Sequence, residues 1–526
     1  MKFPVGIQSF EKIIKGGFVY VDKTNLVYDL VSEGKIYFLS RPRRFGKSLL
    51  VSTLENYFLG KKELFKGLAI EHLETEWKTY PIFHLDFNGE DFLNVDALPN
   101  RLNLYLEKWE NQYGLVPDEK ASFGYRFAEI LRTAHEQCGV PCVVLVDEYD
   151  KPILDTLEKG KVCVEDGAEM TLADKNRNIL KGFFSSLKLA DQDLQFVFLT
   201  GVTKFAKVSV FSGFNQPLDI SKVAKYDTIC GITKEEFDNY FKEPISQMAV
   251  AYGVTTDEMY EMLLKKYDGY HFSRRLVCVF NPFSLLSAFA TQEMGEYWFS
   301  SGTPTYLVQL LNRDNVNLDE IAGRYYGERE FLDFKMDKDT PLPMLYQSGY
   351  LTIKGYNSRT NTYKLDVPND EVKMGLIPLL MDTYLSTTVS SESWIASAID
   401  DLGNGEIEKF MQELTAFLAS IPYSMHEKQT TERFFHYTFY LIFRLASTYV
   451  TFTEKQQSQG RADCILETEK YVYIFEFKLD GSADSAMEQI KEKCYAKEYA
   501  TDKRKVVLIG CSFSSKTRTV EEWKVE

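Results

Sequence analysis

The chain has 526 residues, too many for one hydrophobic core, so the sequence predicts roughly two to four domains. Its 44% hydrophobic and 26% charged residues are typical of a soluble globular protein, and no apolar run approaches the ~20 residues of a membrane span. A net charge of -15 argues against a protein that coats nucleic acid non-specifically. The scattered cysteines and the lack of an apolar segment after Met1 predict a cytoplasmic rather than a secreted protein.

Short apolar runs alternate with helical stretches between Lys35 and Leu199. Alternation of this kind predicts an α/β fold in which helices cover a parallel sheet. The runs are Ile36–Leu39, Ile82–Leu85, Val143–Val146 and Phe196–Leu199.

A loop with the pattern of a phosphate-binding site, Ser40–Ser48, follows the first apolar run and leads into a helix predicted at Lys47–Phe58. A glycine, lysine and serine at a helix start present backbone N–H groups to bound phosphates. Lys47 would reach the β- and γ-phosphates of ATP, and the Ser48 hydroxyl would ligate Mg²⁺. Arg41 stands where the usual pattern has its first glycine, and we expect the basic residues of the loop to keep it rigid and positive.

The third apolar run ends in Asp147 and Glu148, which places both carboxylates at the carboxyl edge of the predicted sheet. Asp147 would hold Mg²⁺ through water, Glu148 would polarise the attacking water, and the Thr200 hydroxyl at the end of the fourth run would sense the γ-phosphate. An isolated Gly-Lys-Ser triplet is usually an ordinary loop, but the acidic strand at this distance favours ATP binding and hydrolysis. The predicted nucleotide-binding residues are Arg43, Arg44, Phe45, Gly46, Lys47, Ser48, Asp147 and Thr200.

The middle of the chain changes to a helical pattern at Thr233–Phe272, opened by a helix-start signal with acidic residues in the first turn. A short helix that ends at Gly349 is then predicted around Leu342–Tyr350, followed by a hairpin of Tyr350–Tyr356 and Thr362–Val367 and a further helix from Glu371. This order resembles a winged-helix unit, although many small α+β modules share it.

The last part of the chain is predicted to be a separate α/β/α domain on length grounds. Its predicted helices are Ile407–Leu418, Glu427–Ala446 and Ala483–Tyr499. Its predicted strands are Ala462–Leu466, Tyr471–Lys478 and Lys505–Gly510.

Glu476 and Lys478 are two residues apart on one of these strands, so their side chains leave the same face. If the preceding hairpin turns at Glu469-Lys470, Asp463 lies opposite Glu476, and the two carboxylates suit Mg²⁺. The metal would polarise a phosphodiester and Lys478 would orient the attacking water. A solvent-facing Glu–Lys pair is the alternative, but the apolar neighbours argue against it.

The spacing of Asp463, Glu476 and Lys478 matches the PD-(D/E)XK nuclease pattern. Gln489, with Lys493 and Tyr495 on the next helix, resembles the helical motif that accompanies this core in related nucleases. A further carboxylate is expected from Glu454 or, less favoured, Glu432.

Five segments of the chain match motifs of a known family: Phe18–Thr24, Arg41–Ser48, Val146–Pro152, Leu199–Phe205 and Tyr267–Tyr270. They resemble the prokaryotic AAA-ATPase-like proteins, and the resemblance covers nearly all of the chain. In that family an arginine replaces the first glycine of the phosphate loop, and a PD-(D/E)XK nuclease domain commonly follows the ATPase domain. The segment Tyr267–Tyr270 implies a helical lid, with a simple turn between helices as the alternative.

The sequence thus predicts a P-loop NTPase domain (AAA/STAND-like) at 1–232, a helical lid at 233–300, a winged-helix-like unit at 301–390 and a PD-(D/E)XK nuclease-like domain at 391–526. The leading hypothesis is a hydrolase, an ATPase coupled to a Mg²⁺-dependent nuclease that acts on nucleic acid, with DNA favoured over RNA. The alternatives are an ATP-driven switch with a catalytically silent nuclease-like domain, and a scaffold, against which the intact site residues argue. No membrane partner is expected, and an oligomer is compatible with the sequence.

Overall fold

The computed structural model describes residues 1–118, 120–157, 161–163, 169–205, 217–300, 321–333, 341–376, 391–420, 451–453, 456–457, 460–461 and 464–526. These residues form two compact units, one ending at Glu371 and the other beginning at Val372. The domain boundary predicted at residue 391 stays a prediction, because residues 377–390 lie outside the described residues. The described residues contain no helix with the length and apolar character needed to cross a bilayer.

The elements of the first unit follow in chain order. Its helices are α1 (Phe10–Gly16), α2 (Thr24–Glu33), α3 (Lys47–Phe58), α4 (Ala97–Tyr113), α5 (Phe123–Cys138), α6 (Lys151–Leu154), α7 (Leu172–Leu189), α8 (Lys234–Tyr240), α9 (Lys242–Tyr252), α10 (Thr256–Tyr267), α11 (Pro282–Thr291), α12 (Tyr297–Ser300), α13 (Glu328–Leu332) and α14 (Leu342–Gln347). Its strands are β1 (Ile36–Ser40), β2 (Ile82–Asp86), β3 (Cys142–Asp147), β4 (Lys161–Cys163), β5 (Glu169–Thr171), β6 (Leu194–Gly201), β7 (Leu218–Asp219), β8 (Ile232–Thr233), β9 (Val279–Phe280), β10 (Arg324–Gly327), β11 (Thr352–Asn357) and β12 (Thr362–Asp366).

The predicted parallel sheet is confirmed, with the strand order β2-β3-β6-β1-β7. Every residue of β3 is buried, as expected for an apolar strand covered on both faces. Strand β6 lies between β1 and β3, with Ser40 paired to Gly201 and Val146 paired to Leu199. This insertion brings the carboxyl ends of three strands, and hence the predicted loop, the acidic residues and Thr200, to one edge of the sheet. The short edge strand β7 was not predicted.

The helical pattern predicted at Thr233–Phe272 is confirmed by α8, α9 and α10, and α11 follows it. Helix α8 begins at Lys234 with Thr233 as its N-cap, and Thr233 and Glu236 form the reciprocal pair of a capping box. The four helices share a buried apolar core with aromatic residues at its centre. That core includes Phe237, Phe241, Ile245, Met248, Met259, Leu263, Phe280, Leu285 and Phe289.

The predicted short helix and hairpin correspond to α14, β11 and β12. The helix ends at Gln347 rather than at Gly349, and Gly349 then adopts a left-handed conformation at φ 93°. The hairpin carries an unpredicted third strand, β10, which gives the sheet order β10-β12-β11. Residues 370–376 are helical, as predicted from Glu371.

The elements of the second unit follow in chain order. Its helices are α15 (Ser391–Asn404), α16 (Ile407–Ala419) and α17 (Ala483–Glu492). Its strands are β13 (Thr451–Thr453), β14 (Gln456–Gln457), β15 (Gly460–Arg461), β16 (Cys464–Glu467), β17 (Tyr471–Leu479), β18 (Lys505–Phe513) and β19 (Val520–Val525). Five of the strands form a mixed sheet of order β13-β16-β17-β18-β19, and β14 and β15 form a separate pair.

The hairpin predicted before β17 is confirmed, because β16 and β17 are antiparallel and Cys464 pairs with Phe475. The helix predicted at Ala483–Tyr499 was too long: α17 ends at Glu492, and Cys494, at φ 53°, breaks the helix before a 3₁₀ turn. The helix predicted at Glu427–Ala446 lies outside the described residues.

Candidate functional site

The loop between β1 and α3 has the conformation that its glycine permits. Arg44 is left-handed at φ 67° and Gly46 at φ 90°, after which α3 begins at Lys47. A left-handed residue at this position favours glycine, since other side chains are strained there. The turn aims the first N–H groups of α3, which lack partners within the helix, at the space above the loop.

That space is a cavity of about 330 Å³, within the range of roughly 300 to 1,000 Å³ typical of ligand pockets. Loop residues, Glu148 and Asn88 line one side, and the segment Pro4–Gln8 and helix α11 line the other. A smaller, more apolar cavity of about 100 Å³ adjoins it, and the two share the lining residues Pro4, Gly46, Leu49, Pro282 and Leu286. The site therefore has a cationic end at the loop and an apolar end beneath the N-terminal segment.

Lys47 is the buried cation at the loop end, with only 4% of its surface exposed. Its Nζ donates hydrogen bonds to the carbonyl oxygens of Arg41 and Pro42, each at 3.1 Å, and lies 3.9 Å from Oε1 of Glu148. Burying an ammonium group costs free energy unless acceptors surround it, and these oxygens supply that compensation. The lysine is thereby fixed at the mouth of the loop.

Asp147 and Thr200 are both buried and joined directly. The Thr200 hydroxyl donates to Oδ1 of Asp147 at 2.6 Å, which is possible because β6 lies beside β3. Asp147, Ser48 and Thr200 offer hard oxygen donors of the kind that Mg²⁺ prefers, so the residues fit the predicted metal. The role of Thr200 as a γ-phosphate sensor stays a prediction.

Glu148 also lines the cavity, and its backbone is left-handed at φ 53°. For a glutamate this conformation is uncommon, and such residues cluster at functional sites. The next residue, Tyr149, donates its backbone N–H to the carbonyl of Thr200 at 3.0 Å. Glu148 of the predicted acidic pair therefore lies at the cavity and faces Lys47, while Asp147 is buried beside it.

Two loop residues, Phe45 and Arg41, have side chains turned into the interior. Phe45 was predicted among the nucleotide contacts, and its role stays a prediction: its side chain is buried edge-on against Tyr270 and Phe272, at 4.8 and 5.3 Å between ring centroids, and it lines the smaller cavity. Arg41 was expected to add positive charge to the loop. Its guanidinium is instead buried, donates to the carbonyls of Ser221 and Tyr226, and stacks on Phe272 at 4.1 Å.

The physical reason is the same for both residues. The aromatic segment after α10, which contains Tyr270 and Phe272, packs against the Phe45 and Arg41 side chains. Phe45 and Arg41 therefore hold the loop in place from its base, and burial lowers the pKa of Arg41. Arg43 and Arg44 do line the cavity, as predicted. The Arg43 carbonyl accepts a 3.1 Å hydrogen bond from the Trp298 indole, and Arg44 stacks on Phe283 at 4.8 Å.

Sequence reasoning missed Asp150, which is fully buried. One carboxylate oxygen accepts hydrogen bonds from the backbone N–H groups of Val202 at 3.0 Å and Thr203 at 2.5 Å. Burial, together with the nearby Glu148 carboxylate, raises the pKa of Asp150 to about 7. A third acidic residue, three positions after Asp147 at the end of β3, was the available signal.

The second unit brings together three residues singled out from its sequence. Glu476 is only 2% exposed, and its Oε1 accepts a hydrogen bond from Nε2 of Gln489 and lies 3.4 Å from Nζ of Lys478. Lys478 also donates to Oε1 of Gln489 at 2.5 Å. The burial of Glu476 excludes the alternative of a solvent-facing Glu–Lys pair, and the shared face of Glu476 and Lys478 is confirmed.

The approach of α17 to the sheet depends on Gly510, which pairs with Glu476 in β18. A Cβ atom at Gly510 would lie 2.5 Å from the backbone oxygen of Ala483 and 2.8 Å from the backbone nitrogen of Met487. The missing side chain lets α17 lie close enough for Gln489 to reach Glu476. Nothing in the sequence pattern marked this glycine.

The predicted metal ligand Asp463 lies outside the described residues, as do Glu454 and Glu432, the two candidates for a further carboxylate. Within the described part of the chain, no group of three or more His, Cys, Asp or Glu side chains is arranged to hold a metal ion. The metal ion at Glu476 therefore stays a prediction. A buried carboxylate beside a lysine is a suitable component of such a metal site.

Comparison with known proteins agrees with the two predicted domain families. Residues 4–211 match the AAA-ATPase-like family, described as predicted AAA-ATPases, and residues 430–523 match the PD-(D/E)XK nuclease superfamily. The chain is 34% identical over 535 residues to an Azotobacter chroococcum mcd 1 protein described as uncharacterized in the vnfD 5'region, covering 100% of this chain and 99% of that protein.

Among solved structures, the chain is similar to the Orc1 protein of Aeropyrum pernix in complex with DNA, at 11% identity, covering 68% of this chain and 91% of that one, with a TM-score of 0.23. It is also similar to Cdc6p of Pyrobaculum aerophilum, at 12% identity, covering 71% and 92%, with a TM-score of 0.20. Scores this low carry no argument about function. The family matches and the full-length relative establish that the chain belongs to the AAA-ATPase-like family and carries a C-terminal PD-(D/E)XK nuclease superfamily domain.

Proposed function

We propose that this protein binds and hydrolyses ATP with Mg²⁺ in the cavity above α3, and that the nucleotide state controls a Mg²⁺-dependent nuclease site in the second unit. The substrate would be nucleic acid, with DNA favoured over RNA, encountered in the cytoplasm. The observation that carries the proposal is the position of Lys47. A buried ammonium group, held by loop carbonyls beside a glutamate in a nucleotide-sized cavity, has little structural purpose without an anionic ligand.

At the first site each residue has a defined task. Lys47 and the N-terminal turn of α3 would bind the β- and γ-phosphates, and the apolar end of the cavity would receive the base. Ser48 and Asp147 would hold Mg²⁺, which offsets phosphate charge when it is bound. Thr200 would orient the Asp147 carboxylate, and Glu148 would accept a proton from the attacking water.

At the second site Glu476 and Asp463 would hold the metal ion, which activates water and polarises the phosphodiester when it is bound. Lys478 would orient the attacking water or offset the charge that develops on the phosphate. Gln489 contacts both Glu476 and Lys478, so it would fix the distance between the carboxylate and the ammonium group.

A second candidate function is an ATP-driven switch whose nuclease-like domain binds nucleic acid without cutting it. One observation favours it: the Glu476 carboxylate already has hydrogen-bonding partners in Lys478 and Gln489. The hydrogen-bonded network of Glu476, Lys478 and Gln489 suits a structural role as well as a catalytic one.

Incubation of the full-length protein with plasmid and single-stranded DNA, with and without ATP and Mg²⁺ or Mn²⁺, separates the two functions. We expect metal-dependent cleavage that responds to ATP, loss of cleavage in Glu476→Gln, and slower but measurable ATP turnover with intact ATP binding in Glu148→Gln. Glu488→Gln, on the same helix as Gln489, is the control. ATP hydrolysis without any cleavage would support the switch, and the absence of ATP binding would overturn both functions.

A further inference from the structure

Glu148 keeps an unfavourable backbone conformation, and something must hold it there. A left-handed glutamate persists only where the surrounding structure leaves the chain no alternative. On its N-terminal side the chain is fixed by the β3–β6 pairing and by the hydrogen bond from Thr200 to Asp147. On the C-terminal side of Glu148 the turn leaves the sheet, so the chain needs a second restraint there.

Tyr149 and Asp150 supply that restraint by binding the segment that follows β6. The Tyr149 N–H donates to the Thr200 carbonyl, and the Tyr149 hydroxyl donates to the Thr203 carbonyl at 2.8 Å. Asp150 binds the same segment in the opposite sense, since its Oδ2 accepts from the N–H groups of Val202 and Thr203. Two donors converging on one carboxylate oxygen make a stronger restraint than a single neutral hydrogen bond.

The space for this carboxylate exists because residue 201 is glycine. A Cβ atom at Gly201 would lie 2.6 Å from Oδ1 of Asp150 and 2.7 Å from the Tyr149 ring. Asp150 is fully buried, and the charged side chains that act on it are Glu148 and Lys47, which are the groups at the cavity. Its placement thus links the acidic turn to the end of the strand that carries Thr200.

We propose that Asp150 is a positioning residue for ATP hydrolysis: by tying the turn after β3 to the segment after β6, it holds the Glu148 carboxylate over the cavity. This inference rests on the proposed function, in which Glu148 accepts the proton of the attacking water. Asp150 itself is not among the residues that line the cavity.

The test is the ATP kinetics and ATP affinity of full-length Asp150→Ala, with Asp191→Ala as the matched control. Asp191 is a half-exposed carboxylate of the same unit that pairs with Lys35. Since displacing a catalytic group by about 1 Å slows a reaction by up to about 100-fold, we expect kcat of Asp150→Ala to fall roughly 10- to 100-fold while the calorimetric Kd for ATP changes less than about threefold. Asp150→Asn, which keeps an acceptor oxygen, should recover most of the rate.

A general loss of structure is separated from a positioning role by a double mutant. In a Glu148→Gln background, Asp150→Ala should cause almost no further fall in kcat, because residues that act as one unit are not additive. Gly201→Ala, which pushes on the same carboxylate, should reproduce the loss of kcat if Asp150→Ala fails to fold. An unchanged kcat in Asp150→Ala, or an equal fall in both backgrounds, would overturn the inference while leaving ATP hydrolysis intact. A wild-type protein without ATP hydrolysis would overturn the inference together with the proposed function.

Discussion

The hydroxyl of Thr200 donates a 2.6 Å hydrogen bond to the carboxylate of Asp147, across the neighbouring strands β6 and β3. Both side chains are buried, with 0% and 3% of their surfaces exposed. The contact joins a residue at the end of one strand to the predicted Mg²⁺-holding residue at the end of another. It depends on the strand order, which inserts β6 between the loop strand and the acidic strand.

Thr200→Val keeps the shape of the side chain but leaves the buried Asp147 oxygen without its donor. An unsatisfied buried acceptor costs about 1–3 kcal/mol, so the apparent Tm should fall and ATP turnover should slow. Thr200→Ser retains the hydroxyl and should behave like the wild type. Thermal unfolding and steady-state ATPase rates check both variants, and a valine variant indistinguishable from the serine variant would show that the hydrogen bond has no role.

Glu371 makes the stability of the protein dependent on pH near neutrality. It is fully buried, accepts hydrogen bonds from the Trp298 N–H at 2.8 Å and the Ser284 hydroxyl at 2.9 Å, and burial raises its pKa from 4.5 to about 7. Nearby Lys266 lowers this pKa and Glu296 raises it. Since the folded protein binds the proton more tightly than the unfolded chain, the contribution of Glu371 to stability is fully present below pH 4.5 and is lost as the pH rises through 7.

The apparent Tm should therefore decline between roughly pH 4.5 and pH 7 and level off above that range, and Glu371→Gln should make the decline shallower. The part contributed by Glu371 is at most about 3 to 4 kcal/mol, from a pKa difference of roughly 2.5 between the folded and unfolded states. Asp150, whose pKa is also raised to about 7, should preserve part of the pH dependence of the apparent Tm in the Glu371→Gln variant. Glu76→Gln at an exposed site is the control. A Glu371→Gln variant with the full wild-type slope would mean that another group titrates.

Gln489 is expected to matter for cleavage although it carries no charge. Gln489→Ala removes its contacts to Glu476 and Lys478, so any metal-dependent cleavage should slow by roughly 10-fold or more while α17 stays folded. Lys491→Ala, an exposed position on the same helix, should leave cleavage unchanged. Rates on a labelled oligonucleotide and circular dichroism check the prediction, which fails if Gln489→Ala cleaves at the wild-type rate.

Local patterns were enough to predict the parallel sheet, the acidic strand and α3, because apolar runs and a helix-start loop leave a clear periodic signal. Strand β19 was missed because its sequence, with Glu521, Glu522 and Lys524, is that of a charged edge strand without an apolar run. Strand β10 was missed in the same way, since Arg324–Gly327 pairs only at the edge of its sheet.

For the site, the sequence predicted which residues come together but not which way each side chain faces. Phe45 and Arg41 belong to the loop motif, yet the aromatic residues Tyr270 and Phe272, more than two hundred positions away, draw both side chains into the interior. Contacts between residues so distant in the chain depend on the packing of whole elements. The same holds for Asp150, whose partners belong to the segment after a different strand.

The central claim is that the cavity above α3 is an ATP site centred on Lys47. Calorimetric titration of ATP with Mg²⁺ into the full-length wild-type and Lys47→Ala proteins tests this claim most directly. We predict micromolar binding by the wild type, equivalent to roughly 8 kcal/mol, and at least a roughly tenfold loss in Lys47→Ala, because the phosphates lose their buried counter-charge. Lys15→Ala, a surface position in α1, should bind like the wild type. Equal ATP affinity in the wild-type and Lys47→Ala proteins, both shown to be folded, would contradict the account.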